Sequence, residues 1–248
     1  MRARVPALMM LGVSFPLVLT SEFAKPLTLQ QVLTQMDEHD RVRLASLVRY
    51  TCTRRYALEN RRFHATAELS VRMTYWYPGH KKFEVLAERG SSIVRQRVLR
   101  RMLQAETEAS GDDVRDRTRI NPLNYAFRLL GVETRQGRPA YVLEVSPKAS
   151  SKFSMRGKVW VDGEDFAIVR VEAAPTQNPS LWIRNTRVIQ QYEKLGLVWV
   201  PVFNHSETDS FLFGHTEITI DSGNYEVSQT PAAASVSTPA RTSPAQRR

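Results

Sequence analysis

The side chains best placed for chemistry are His205, Glu207 and Asp209, which occupy alternate positions. On a β-strand such residues share one face. A histidine with two carboxylates there could hold a metal ion or form an acid–base group. The solvated face of an edge strand has the same pattern, and that is the commoner origin of such a row. Asp162, Glu164 and Asp165 surround Gly163, but the ligand spacing of a calcium loop is incomplete, and turn formation accounts for them. The other histidines, His39, His64, His80 and His215, form no H-x-x-x-H or H-E-x-x-H pair. No G-x-S-x-G, Walker A or G-x-G-x-x-G is present. Asn204-His205-Ser206 matches a glycosylation triplet and is read as coincidence. The reading is therefore of a protein that is not an enzyme, with no catalytic residue, metal or cofactor expected.

The elements that would position these groups are mostly strands. Phe63, Ala65, Ala67, Leu69, Val71, Met73, Tyr75 and Tyr77 fall on every second position, with mostly polar residues between them. Period two predicts one long strand with an apolar face and a wet face. A helix is expected from Thr28 to about Glu38, where Leu29, Val32, Leu33 and Met36 share a face and Thr28 can cap. Strands follow over Val48–Leu58, over the long run and over Lys82–Ala87, with Phe83, Val85 and Ala87 on one face. A second helix is expected over Ser92–Ala109, where Val94, Val98 and Met102 are spaced by four beside Leu99 and Leu103. Gly111–Arg119 reads as a charged loop. From Asn121 onward the pattern returns to strands, with turns at Arg135–Arg138, Asp162–Asp165 and Glu193–Gly196. A break falls between Leu197–Phe203 and Ser206–Phe211. About ten strands and two helices follow from this count, a mainly β (α+β) chain without βαβ alternation.

The chain has 248 residues, is 42% hydrophobic and 24% charged, and carries a formal charge of +10. That composition suits a globular core, and the charge suits an anionic partner. Arg95, Arg97, Arg100 and Arg101 flank the apolar stripe of the second helix. They fit either an anionic membrane surface or the wet face of a core-packing helix, the simpler account. No basic patch interleaved with aromatics is present, so nucleic acid is not an expected partner. Arg2 and Arg4 precede a nearly unbroken apolar run, Val5–Thr20, containing two prolines. It is short for a membrane span and reads as a secretory signal, residues 1–24, with an uncleaved anchor as the alternative. Residues 25–227 form the folded domain, and 228–248, rich in Ser, Pro, Ala and Arg, are expected to be a disordered tail. Cys52 is the only cysteine, on the parity of Tyr50, and is expected to be a buried thiol.

The second half carries the most specific pattern. Leu130-Gly131-Val132-Glu133 leads to Tyr141-Val142-Leu143-Glu144-Val145-Ser146-Pro147-Lys148. Gly157-Lys158-Val159-Trp160-Val161-Asp162 and Phe166-Ala167-Ile168-Val169-Arg170-Val171-Glu172 follow. With the early helix and the long-strand meander, residues 27 to 227 resemble the periplasmic outer-membrane lipoprotein carrier and sorting family (LolA-like). The resemblance implies a curved antiparallel sheet forming an incomplete barrel, covered by helices, round an apolar cavity. It also implies a periplasmic carrier or binder of lipoproteins or other acylated ligands. Lipid acyl chains, an inner-membrane donor and an outer-membrane acceptor would be its partners, and the chain would be a monomer. Candidate wall residues are Leu69, Val71, Met73, Tyr75 and Tyr77, continued by Tyr141, Leu143 and Val145, with Val94, Val98 and Met102 as the inner face of a lid. A sensor or protein-interaction module on the same fold is the alternative.

Overall fold

The computed structural model describes residues 27–135, 137–177, 183–211 and 214–229. The signal segment and most of the tail lie outside them. Ten antiparallel strands form one sheet in the order β3-β2-β1-β10-β9-β8-β7-β6-β5-β4. Their ranges are β1 Leu47–Asn60, β2 Ala65–Trp76, β3 His80–Gly90, β4 Tyr125–Arg135 and β5 Arg138–Pro147. Then come β6 Met155–Asp162, β7 Ile168–Pro175, β8 Ile183–Leu195, β9 Val198–Ser210 and β10 Gly214–Gln229. The sheet is not closed into a barrel, because β3 and β4 remain edges.

Three helices accompany the sheet. The first, α1, is Leu29–Ser46. Thr28 and Gln31 form a capping box, with the Thr28 N–H donating to Gln31 Oε1 at 2.9 Å. The helix runs eight residues beyond the expected end at Glu38. Its last turns are polar and held by ion pairs, Asp37–Arg41 at 2.8 Å and Asp40–Arg43. The second, α2, is continuous over Ser92–Val94, Arg95–Leu99 and Arg100–Ala109, its middle part a π turn. Residues 112–118, expected as loop, instead form a third helix, α3, Asp112–Thr118. Asp112 and Asp113 sit at its positive end and Arg115 pairs with Asp112 at 2.8 Å, so local charge supports it without an apolar stripe.

Three further expectations are corrected. β9 runs unbroken through the expected gap, with Pro201 paired to Tyr192 and the register slipping before Phe203. That bulge is where a central strand tolerates proline. The long strand begins at Ala65, so Phe63 lies in the turn and is 56% exposed. In β3, Val71 pairs with Val85 but Ser70 pairs with Ala87. The extra residue, Leu86, turns Ala87 to the face opposite Phe83 and Val85.

Direct cross-strand partners share a face, so one row can be followed across nine strands. It runs Leu129, Leu143, Val159, Val171, Gln190, Asn204, Ile220, Tyr56, Leu69. This is the face that the helices cover. At one end α1 buries Val32, Leu33 and Met36 against Tyr141, Leu143, Val145, Val159 and Val161. At the other, α2 buries Leu99 and Leu103 against Tyr56, Leu58, Leu69 and Val71.

Candidate functional site

The helix-covered face is two apolar patches separated by a polar seam. Gln190 and Asn204 interrupt the row just described. Ser206 interrupts the next, between Val188 and Ile218. Thr186 and Thr208 form the third, with their hydroxyls 3.3 Å apart. All five are half-buried.

The candidate wall residues fall on this face as parity implies. Leu69, Val71 and Met73 are fully buried, as are Leu143 and Val145, and Tyr141 is nearly so. They divide between the patches. Leu69 and Val71 pack under α2, Met73 and Tyr75 form an adjoining cluster with Tyr50 and Cys52, and the β5 residues pack under α1. Tyr75 stacks on Tyr50 with ring centroids 4.8 Å apart. Tyr77 falls beyond the end of β2 and is 44% exposed, so it adds nothing to the wall. On α2, Val94, Val98 and Met102 touch the patch from its margin, while Leu99 and Leu103 occupy its centre. The π turn over Arg95–Leu99 accounts for this. It shifts the inward position by one residue, from Val98 to Leu99, after which the spacing of four resumes at Leu103.

The side chains that sequence parity passed over lie between α2 and the sheet. Arg54 belongs to the inward row Tyr50, Cys52, Arg54, Tyr56, Leu58 and is only 5% exposed. Its Nη1 lies 2.6 Å from Glu106 Oε1 on α2. Lys81 of β3 reaches the same oxygen at 2.8 Å, and the Tyr56 hydroxyl donates to Glu106 Oε2 at 3.1 Å. Burial alone would raise the Glu106 pKa, but Lys81 and Arg54 outweigh it and hold the carboxyl at about 2. Burial raises the Tyr56 phenol above its ordinary range, and the Glu106 charge adds to the rise. Arg54 Nε is buried without a hydrogen-bond partner among the described residues. This is a polar clasp, imperfectly satisfied, within an apolar interface. A charged residue inside an otherwise apolar period-two row was its sequence signal.

His205, Glu207 and Asp209 do share a face, the one opposite the helices, on a central strand rather than an edge. There His205 Nδ1 lies 3.1 Å from the Thr219 hydroxyl, and its Nε2 lies 3.3 Å from Glu207. Asp209 pairs instead with His215, whose other nitrogen meets Glu217 at 3.1 Å. The hydrogen bond to Asp209 leads in raising the His215 pKa. Among the described residues no group of three or more His, Cys, Asp or Glu side chains is arranged to hold a metal. Asp162 accepts two hydrogen bonds from Arg138, at 2.8 and 2.6 Å, and two from the Glu164 and Asp165 N–H groups. It is turn chemistry, as its sequence setting implied. Cys52 is buried, and desolvation raises its thiol pKa. No helix among the described residues is long and apolar enough to cross a membrane.

No protein-family model matches the chain, and no curated protein matches it. Solved structures do match. A LolA superfamily protein from Nitrosomonas europaea is 13% identical, with 83% of this chain covering 96% of that one at a TM-score of 0.44. An outer membrane lipoprotein-sorting protein domain from Vibrio parahaemolyticus is 13% identical, with 80% of this chain covering 92% of that one at 0.42. The MucA/MucB complex of Pseudomonas aeruginosa matches at 12% identity, with coverages of 79% and 93% and a TM-score of 0.25.

Proposed function

We propose that this chain is a periplasmic binder and carrier of lipoproteins or other acylated ligands. The acyl chain would be taken up between α2 and the strands β1, β2 and β10. The observation that carries the reading is the clasp. Leu99 and Leu103 hold α2 on an apolar wall, yet about one turn further along the helix the contact is closed by an ion pair whose guanidinium Nε has no hydrogen-bond partner among the described residues. Buried ion pairs return little net stability, because desolvation offsets most of their attraction. Lifting α2 lets Arg54, Lys81 and Glu106 rehydrate while an acyl chain takes the place of the helix's apolar side chains. Each methylene buried contributes about 0.8 kcal/mol, so a chain of some twelve methylenes supplies about 10 kcal/mol without covalent chemistry. A donor at the inner membrane, an acceptor at the outer membrane and a monomeric carrier complete the reading.

The second reading is a sensor or protein-interaction module. It draws on the full burial of Leu69, Val71 and Met73, which is that of a filled core. Mass spectrometry of an organic extract of the purified protein separates the two. A stoichiometric acyl species supports the carrier. Lipid-free protein that also fails to bind a fluorescent fatty acid overturns the carrier in favour of the interaction module.

A further inference from the structure

The polar seam between the two apolar patches is not required by the packing of either. Gln190 and Asn204 are direct cross-strand partners at the centre of a row that is otherwise apolar except for the Tyr56 hydroxyl. Both are half-buried, and neither carboxamide makes a hydrogen bond among the described residues. Each carboxamide offers two N–H donors and one carbonyl acceptor. Ser206, Thr186 and Thr208 add hydroxyls in the two neighbouring rows. At one end, the seam approaches Tyr192, whose phenol burial pushes up to about 12 while the Arg54 charge acts to lower it.

We propose that the Gln190–Asn204 pair is a head-group subsite for ester and amide carbonyls of an acylated ligand whose chain enters beneath α2. This rests on the acyl-binding reading and adds what selects the ligand. A bare hydrocarbon would meet the wall alone. A glyceride ester or an N-acyl group would also accept hydrogen bonds from the two carboxamides. A site built to hydrogen-bond a polar group discriminates strongly against the analogue that lacks it.

The test compares two probes by fluorescence titration or competition: a synthetic diacyl lipopeptide, and an alkyl fluorophore with neither ester nor amide. In Gln190→Leu/Asn204→Leu the lipopeptide affinity is expected to fall at least tenfold, with alkyl-probe affinity unchanged. Asn204→Asp, which keeps the size but replaces the donor with a negative acceptor, is expected to weaken the lipopeptide similarly; circular dichroism checks its fold. Equal lipopeptide binding by wild type and both variants overturns the subsite while leaving acyl binding intact. Wild type that binds the alkyl probe but not the lipopeptide overturns the subsite in the same way. Failure of wild type to bind either probe overturns both the subsite and the acyl-binding reading.

Discussion

The two helix–sheet contacts on the one face are built differently. Under α1 the buried contact is apolar throughout: Val32, Leu33 and Met36 meet Leu143, Val145, Val159 and Val161. Polar contacts of α1, such as the Arg43 guanidinium donating to the Asp165 carbonyl at 2.5 Å and Arg119 pairing with Asp40 at 2.9 Å, lie at its margin. Under α2 a nearly buried arginine, Arg54, stands in the inward row between Cys52 and Tyr56 and pairs with Glu106. Dispersion and apolar burial hold α1 with no alternative partner in water as favourable as the core. The Arg54–Glu106 pair has such an alternative, since water solvates both charges. On the proposed reading one helix is an anchor and the other a cover that can be released.

The largest test of that contrast is Leu143→Ala. Truncating a fully buried leucine under α1 should cost about 2–5 kcal/mol, lowering Tm by several degrees in thermal denaturation. Leu99→Ala under α2 should cost less in Tm and instead speed hydrogen exchange locally in residues 92–109. If Leu99→Ala lowers Tm as much as Leu143→Ala and exchange rises everywhere, the two halves are one cooperative core and the contrast fails.

Next in size is Glu106→Gln, which leaves Arg54 buried opposite a neutral group. It should destabilise the protein by about 2–3 kcal/mol near neutral pH. The pH dependence has a definite sign. The Glu106 carboxyl is depressed in the folded protein, so its contribution is present above its ordinary value near 4.5 and is lost as pH falls towards about 2. Urea midpoints of wild type and variant should converge over that window. A constant difference from pH 7 to 2 would mean that Glu106 carries no charge-linked stability. Replacing both partners, Arg54→Met with Glu106→Leu, should be neutral or stabilising and should slow uptake of a fluorescent fatty acid, because the cover would then be held by apolar packing alone.

Smaller still is Thr28→Ala, which removes the α1 capping box and should cost about 1 kcal/mol in a chemical denaturation curve. The least expected effect is at His215. Its raised pKa makes its contribution complete below the ordinary histidine range and lost as pH rises through the folded value. His215→Gln should therefore flatten a shallow dependence of stability near neutral pH and leave ligand binding unchanged. A binding defect in that variant would relocate function to the opposite face.

Much of the frame is legible in the residues because period two survives wherever one face is buried. The β2 row from Ala65 to Tyr75, the hairpin at Asp162 and the span of α2 all read directly. Legibility fails where charge rather than apolar burial sets the structure. The end of α1 and the whole of α3 are held by local ion pairs, which leave no hydrophobic stripe. The middle of β9 is half-buried on both faces, so no alternation marks it and the sequence pattern breaks the strand in two. Parity finds the wall residues and places Arg54 in an inward row, but one arginine among many carries no mark of its partner.

The sequence by itself determined most of the strands, the capping of α1, the amphipathic span of α2 and, outside the β3 bulge, which residues of a strand face together. These are local matters of backbone periodicity and side-chain type. Only the tertiary structure decided that Arg54 meets Glu106, 52 residues away, and that Lys81 joins them. It alone decided that Gln190 and Asn204 fall between two apolar patches brought into one sheet by the β1–β10 pairing. The physical reason is that an ion pair or a cross-strand neighbour is a property of two distant positions, fixed by register and packing.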